Sequence, residues 1–135
     1  MQVALGKRAY FELYGDDYQT KDGSCIRDYI HVNDIAKAHV LALDKLNKNE
    51  SAIYNLGNGK GFSVKEIIRI TKEFTEKPIE VKITSRRAGD PAILVASSDK
   101  IKKELNWKPE FSDIYTIIET AWNWHKKHPN GYKKY

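Results

Sequence analysis

A small α/β fold with short strands and about four helices is what this chain of 135 residues predicts, on three observations. Brief apolar runs alternate along the chain with segments whose apolar side chains recur at helical spacing. Serine, aspartate or asparagine stands at the head of the helical segments, and glycine or proline lies between elements. The length suits one unit with its own core rather than two.

The elements follow in order. Gln2 to Arg8 has the character of a helix end whose beginning lies upstream, with Gly6 near its stop. Phe11 to Tyr14 is a short apolar run ended by Gly15, and a polar loop from Asp16 to Ser24 follows. Ile26 to Val32, rich in Ile, Tyr and Val, predicts a strand. Asn33 or Asp34 is placed to cap a helix whose apolar positions are Ile35, Ala38, Ala42, Leu43 and Leu46. Ala52 to Leu56 predicts a further strand, leading into a glycine-rich turn. Ser63-Val64-Lys65-Glu66 is a capping box, opening a helix that would bury Val64, Ile67, Ile68, Thr71 and Phe74. Pro78 to Thr84 alternates as a strand, and Arg86 to Ala96 is irregular, interrupted by Gly89 and Pro91. One helix is expected from near Ser98 to Leu105. Another runs from near Ser112 to before Pro129, packing Ile114, Ile117, Ile118, Ala121 and Trp122 until His128-Pro129-Asn130-Gly131 stops it.

Composition bounds the function. Apolar residues make up 41% and charged residues 30% of the chain, which suits a folded globular protein rather than a disordered one. No stretch approaches the ~18 apolar residues of a membrane helix, so a membrane partner is not expected. The opening residues become charged too early for a secretory signal. Cys25 is the sole cysteine, which excludes an intrachain disulfide and gives a cytoplasmic location as the expectation. The net charge of +5 invites a nucleic-acid reading. The basic residues, however, are scattered as the pairs Lys7-Arg8, Arg86-Arg87, Lys126-Lys127 and Lys133-Lys134 among acids, so nucleic acid is not expected. Charge alone leaves open a solvated basic surface and a smaller polyanion such as a nucleoside diphosphate.

Several motifs have plain structural readings. Gly57, Gly59 and Gly61 follow a predicted strand and precede a helix, but the third glycine of a dinucleotide loop would fall at Phe62. A tight turn is expected there, and no cofactor-binding residue in this chain. Cys25 lacks an orienting partner for nucleophilic work, and His39, His125 and His128 lack metal-ligand spacing. Asp16 and Asp17 are turn residues. Two arginine motifs stand out: Arg27-Asp28-Tyr29 at the mouth of a strand, and Arg86-Arg87-Ala88-Gly89-Asp90 in the irregular segment. Two guanidiniums converging on one point suit a diphosphate, and a neighbouring carboxylate suits ribose hydroxyls. The same arginines could instead pair with Asp28 and Asp90.

The chain resembles the UDP-glucose 4-epimerases, in the sugar-nucleotide branch of the extended short-chain dehydrogenases. Tyr14-Gly15-Asp16-Asp17-Tyr18 and Asp22-Gly23-Ser24-Cys25-Ile26-Arg27-Asp28-Tyr29-Ile30-His31-Val32 form one block of the likeness. Tyr54-Asn55-Leu56-Gly57, running on to Phe62-Ser63-Val64, forms the next. Arg86-Arg87-x-Gly89-Asp90 and Trp122-x-Trp124 through His128-Pro129-Asn130-Gly131-Tyr132 complete it in the same order, so it extends over essentially the whole chain.

The resemblance implies a C-terminal substrate domain, without the Rossmann domain, that holds the UDP moiety of UDP-glucose or UDP-galactose. It assigns Arg27 and Arg87 to the diphosphate and Asp90 to the ribose. Phe11 to Tyr14 would lie along the uracil, with Tyr14 stacking, and Tyr29 and Val64 would line the pocket. Leu94 would stand at a position that gates the size of the sugar site. The resemblance also implies an NAD-dependent full-length parent that oxidises and re-reduces the sugar at C4. That chemistry needs a Tyr-x-x-x-Lys pair, yet no tyrosine of this chain has a lysine four positions later. The catalytic tyrosine and the NAD loop are thus expected upstream of Met1, and the chain alone is expected to be inactive. An apolar face left by the absent half makes a homodimer or swapped assembly the expectation.

Overall fold

The computed structural model describes residues 1–48 and 50–132; the Lys133-Lys134 pair lies outside the described residues. The elements in chain order are β1 (Phe11–Tyr14), β2 (Ile26–Asp28), α1 (Val32–Asn47), β3 (Gly61–Ser63), α2 (Val64–Thr75), β4 (Val81–Thr84), β5 (Ile93–Leu94), α3 (Asp99–Leu105) and α4 (Ile114–Lys127). The α/β fold with four helices and short strands agrees with the sequence prediction. β1 and β4 pair in parallel, with Leu13 opposite Ile83. The second sheet has the order β3-β2-β5, antiparallel between β2 and β3 and parallel between β2 and β5.

The first residues do form a helical turn that ends at Gly6. The Gly6 amide donates to the Val3 carbonyl and Lys7 to Gln2, both at 2.9 Å, and Gly6 has φ +71. That pair of bonds is a Schellman closure, and its left-handed residue favours glycine. The turn is anchored by burial: Ala4 packs with Ile79 and Trp122, and Met1 also reaches the cluster of Phe62, Ile70, Ile114 and Ile118. These two clusters hold α2 and α4 together. A third, of Ala38, Ile101 and Trp107, joins α1 to α3. Trp107 is 1% exposed, and truncating such a side chain typically costs ~3–5 kcal/mol.

The second strand is shorter than predicted. It ends at Asp28, because His31 rather than Asn33 or Asp34 caps α1: His31 Nδ1 accepts the Asn33 amide at 3.1 Å. Asp34 is fully buried instead, its carboxylate taking the amides of Glu110 and Phe111 at 2.9 and 3.0 Å. That clamp turns Asp34 and Ala38 inward and leaves Leu43 and Leu46, predicted as core, 54% and 61% exposed. α2 starts as expected, with Ser63 Oγ accepting the Glu66 amide at 3.0 Å. Its buried positions are Ile70, Thr71 and Thr75, while Phe74 is exposed and Val64, Ile67 and Ile68 are half-buried. Ala52 to Leu56 is not a strand; its backbone finds no ladder, and Tyr54 and Leu56 pack by their side chains against the Trp107 cluster. The strand predicted from Pro78 is confined to Val81–Thr84, and the irregular segment contains β5.

Candidate functional site

A cavity of about 960 Å³ opens between β1, the start of β2, the first turns of α2 and the N-terminal turn, at the upper end of the range for small-molecule sites. Phe11, Tyr14, Arg27, Tyr29, Val64, Arg87 and Asp90 all line it. Residues far apart in sequence thus share one cavity. Leu94 is placed elsewhere: it pairs with Arg27 in the β2–β5 register, 58% exposed and outside the lining.

β2 and β5 fix Arg27. Its Nη2 donates to Asp90 Oδ1 at 2.6 Å, and Nη1 donates to the carbonyls of Ile26 and Pro91 at 2.7 and 3.0 Å. The pairing with Asp90 is one the sequence left open. The ion pair is mostly buried, its side chains 21% and 27% exposed, and together the three bonds orient the guanidinium at the cavity wall. Asp28 does not join it. The Asp28 carboxylate instead accepts the amides of Asn58, Gly59 and Ala96.

The second arginine arrives from the end of β4. The Arg87 guanidinium lies 3.7 Å from the centroid of the Tyr14 ring, and the Tyr14 hydroxyl donates to Glu12 Oε2 at 2.8 Å. Its neighbour Arg86 turns the other way, donating to Asp17 at 2.7 Å and covering Tyr18 at 4.2 Å. The Arg86 hydrogen bond holds the Asp17 carboxyl below the usual carboxylate range. Asp17 therefore pins the loop that follows β1, a role its turn-like sequence context did not suggest. On the opposite wall, burial pushes the Tyr29 phenol up, and nearby Cys25 adds to the shift. Tyr29 thus remains a neutral hydroxyl donor through the neutral range.

The polar loop before β2 holds the start of α2 against the cavity. Asp22 accepts from the Ser63 hydroxyl and from the amide and hydroxyl of Ser24, and Lys65 Nζ donates to the Asp22 carbonyl at 2.8 Å. This network presents Val64 to the site. Cys25, Arg8 and His125 also line the cavity, though the sequence set Cys25 aside as a nucleophile and His125 as a metal ligand and assigned none of the three to this site. For Cys25 a signal existed, since it stands two residues before Arg27 and alternation puts such pairs on one face. Nothing comparable marked Arg8 or His125.

The glycine-rich turn does not fit a dinucleotide. A Cβ on Gly57 would sit 2.5 Å from Asp28 Oδ2 and 2.9 Å from the Ala96 Cβ, so this glycine serves a close packing of chain against chain. The amides of Asn58 and Gly59, which a pyrophosphate would need, are already taken by a carboxylate. Phe62 is buried in the core. Among the described residues no group of His, Cys, Asp and Glu could hold a metal ion, and no helix is long and apolar enough to cross a membrane.

What this arrangement can do chemically is hold a doubly charged anion between two oriented guanidiniums, beside a carboxylate, a neutral phenol and an aromatic strand. Residues 1–119 match the family model described as GDP-mannose 4,6 dehydratase. The chain is 56% identical over 133 residues to a UDP-glucose 4-epimerase of Halalkalibacterium halodurans, covering 98% of this chain and 40% of that protein. A crystal structure of a UDP-glucose 4-epimerase superposes with a TM-score of 0.90 at 57% identity, over 98% of this chain and 41% of the other. The epimerase of Bifidobacterium longum, solved in complex with NAD+ and UDP, gives 0.86 at 42% identity, over 97% and 39%. The chain therefore spans about 40% of the length of the curated relatives it matches, and the match is to a C-terminal portion of them.

Proposed function

This chain belongs to the GDP-mannose 4,6 dehydratase family, and from that membership and the cavity we propose that residues 1–135 form the UDP-sugar-binding part of a UDP-glucose 4-epimerase. The observation that carries the reading is the meeting of Arg27, Arg87 and Asp90 in one cavity with the β1 aromatics. Arg87 offers its fork to the diphosphate, and Arg27, held by Asp90 and two carbonyls, adds its remaining N–H groups. Asp90 keeps one carboxylate oxygen for the ribose while the other binds Arg27. Phe11 and Tyr14 flank the base, and Tyr29 donates its hydroxyl. In the whole enzyme these residues orient the sugar for interconversion of UDP-glucose and UDP-galactose. NAD, when bound, supplies the hydride acceptor and donor, and it is held by parts of the longer enzyme other than this chain. Leu94 pairs with Arg27 in register but lies outside this cavity, so it would limit the sugar only where the rest of the longer enzyme completes the site.

Calorimetric titration with UDP, GDP and uridine tests the reading. UDP is expected to bind with a Kd on the order of 1 mM, since few charge-assisted bonds are made to this portion alone. Uridine is expected to bind at least tenfold more weakly, for want of the phosphates. Equal affinity for UDP and GDP would reject uracil recognition, and equal affinity for UDP and uridine would reject the arginine pair.

A further inference from the structure

Three cations of the segment from β4 onward each cover a tyrosine of the β1 segment: Lys82 over Tyr10 at 3.8 Å, Arg87 over Tyr14 at 3.7 Å and Arg86 over Tyr18 at 4.2 Å. The middle pair differs from the others. Tyr14 faces the cavity together with Arg87, and its hydroxyl is tied to a carboxylate two residues back, Glu12 Oε2, at 2.8 Å. Glu12 and Tyr14 lie on the same side of β1, as alternation requires of residues two apart. Arg87 is exposed and, among the described residues, forms no ion pair. An exposed arginine without an anchor samples many rotamers. Among the described residues, the one feature that narrows them is the ring beneath it, and the one polar bond that narrows the ring is that to Glu12.

We propose that Glu12 is a positioning residue of the nucleotide site: its carboxylate fixes the Tyr14 ring, and the ring holds the Arg87 guanidinium where the diphosphate binds. The inference rests on the reading of the cavity as a UDP site. Its energetic basis is preorganisation, because an arginine already confined loses less freedom when phosphate arrives. Glutamine at this position keeps an acceptor oxygen for the phenol, whereas alanine removes it. Phenylalanine at position 14 keeps the ring and removes the donor, so it breaks the same link from the other side.

The test compares the chain with Glu12→Ala, Glu12→Gln, Tyr14→Phe and the double variant Glu12→Ala/Tyr14→Phe, by NMR and by UDP titration. In the unliganded chain, the Arg87 side-chain protons are expected to show a ring-current shift, weakened in Glu12→Ala and Tyr14→Phe and kept in Glu12→Gln. UDP affinity should fall roughly fivefold in Glu12→Ala, the scale of an exposed cation–π contact that loses its geometry. The double variant should lose no more than either single one, since all three break one link. Glutamine should restore most of the affinity. An Arg87 shift unchanged by Glu12→Ala, or additive losses in the double variant, would overturn the proposal. If no variant and not the parent chain binds UDP, the functional reading fails, while the Arg87 shift still decides whether Glu12 positions it.

Discussion

Replacing Asp34 by alanine should destabilise the fold more than almost any other single polar change. Its carboxylate is fully buried and accepts two backbone amides, from Glu110 and Phe111, while its own carbonyl accepts the Trp107 indole N–H at 2.9 Å. Bonds to a charged acceptor are worth ~1.5–3 kcal/mol each, and removing the acceptor also strands two amides away from water. The expected cost is therefore about 3–5 kcal/mol, a large share of the ~7–20 kcal/mol that a chain of this size commonly has. Asparagine retains one acceptor oxygen but turns an NH2 toward an N–H, so it should cost about 2–3 kcal/mol. Urea unfolding followed by tryptophan fluorescence reads both. With a slope of ~1–3 kcal/mol/M, the midpoint of Asp34→Ala should fall by roughly 1–5 M. The melting temperature should fall by roughly 10 °C or more. A change below ~0.5 kcal/mol would refute the idea that this carboxylate clamps α1 to the segment before α4.

Arg27→Lys keeps the charge but cannot reproduce the bonds to Asp90, Ile26 and Pro91, and UDP affinity should drop about tenfold in calorimetry; an unchanged Kd would contradict the role of the fork. Asp22 gives a pH signature. Burial raises its pKa, but the Ser63 and Ser24 bonds and Lys65 outweigh this and leave it lowered. Its stabilising contribution is present above the ordinary carboxylate pKa and is lost as pH falls through the lowered one, so stability should decline below about pH 4. Asp22→Asn should flatten that limb of the curve, and an identical acid profile would count against the network. Gly57→Ala would drive a methyl into Asp28 and Ala96, with an expected loss of about 1–3 kcal/mol in chemical denaturation. The exposed Val32, Val40, Leu43 and Leu46 of α1 should drive concentration-dependent self-association, visible by light scattering; a constant monomer mass at millimolar concentration would contradict it.

The elements most legible in the sequence were those set by local chemistry. α2 and α4 could be placed because Ser63 marks the start of one and His128 to Gly131 the stop of the other, and both signals act within a single turn. β1 was framed by Gly15. What the sequence did not disclose depends on distant partners. Ala52 to Leu56 has strand composition, but a strand exists only where another edge meets it. β5 is only the Ile93-Leu94 pair of a short apolar run behind Gly89 and Pro91, too brief to announce a strand, and it exists because β2 lies alongside. The α1 apolar pattern misled for a related reason: a buried Asp34 bonded to residues more than seventy positions away decides which face points inward. The clustering of the candidate residues was more readable than the sheet. Arg27, Arg87 and Asp90 stand in two motifs that the sequence marks out and the fold brings to one cavity, whereas Glu12 carries no motif and is distinguished only by the phenol it holds.

The most direct test of the account is an amide NMR titration of the chain with UDP, repeated on Arg87→Ala. Shifts confined to Phe11–Tyr14, Arg27, Tyr29 and the Arg87–Asp90 segment, abolished or weakened at least tenfold in the variant, are the expected result. No shift at tens of millimolar UDP, or the same shifts in Arg87→Ala, would contradict a UDP site built on these residues.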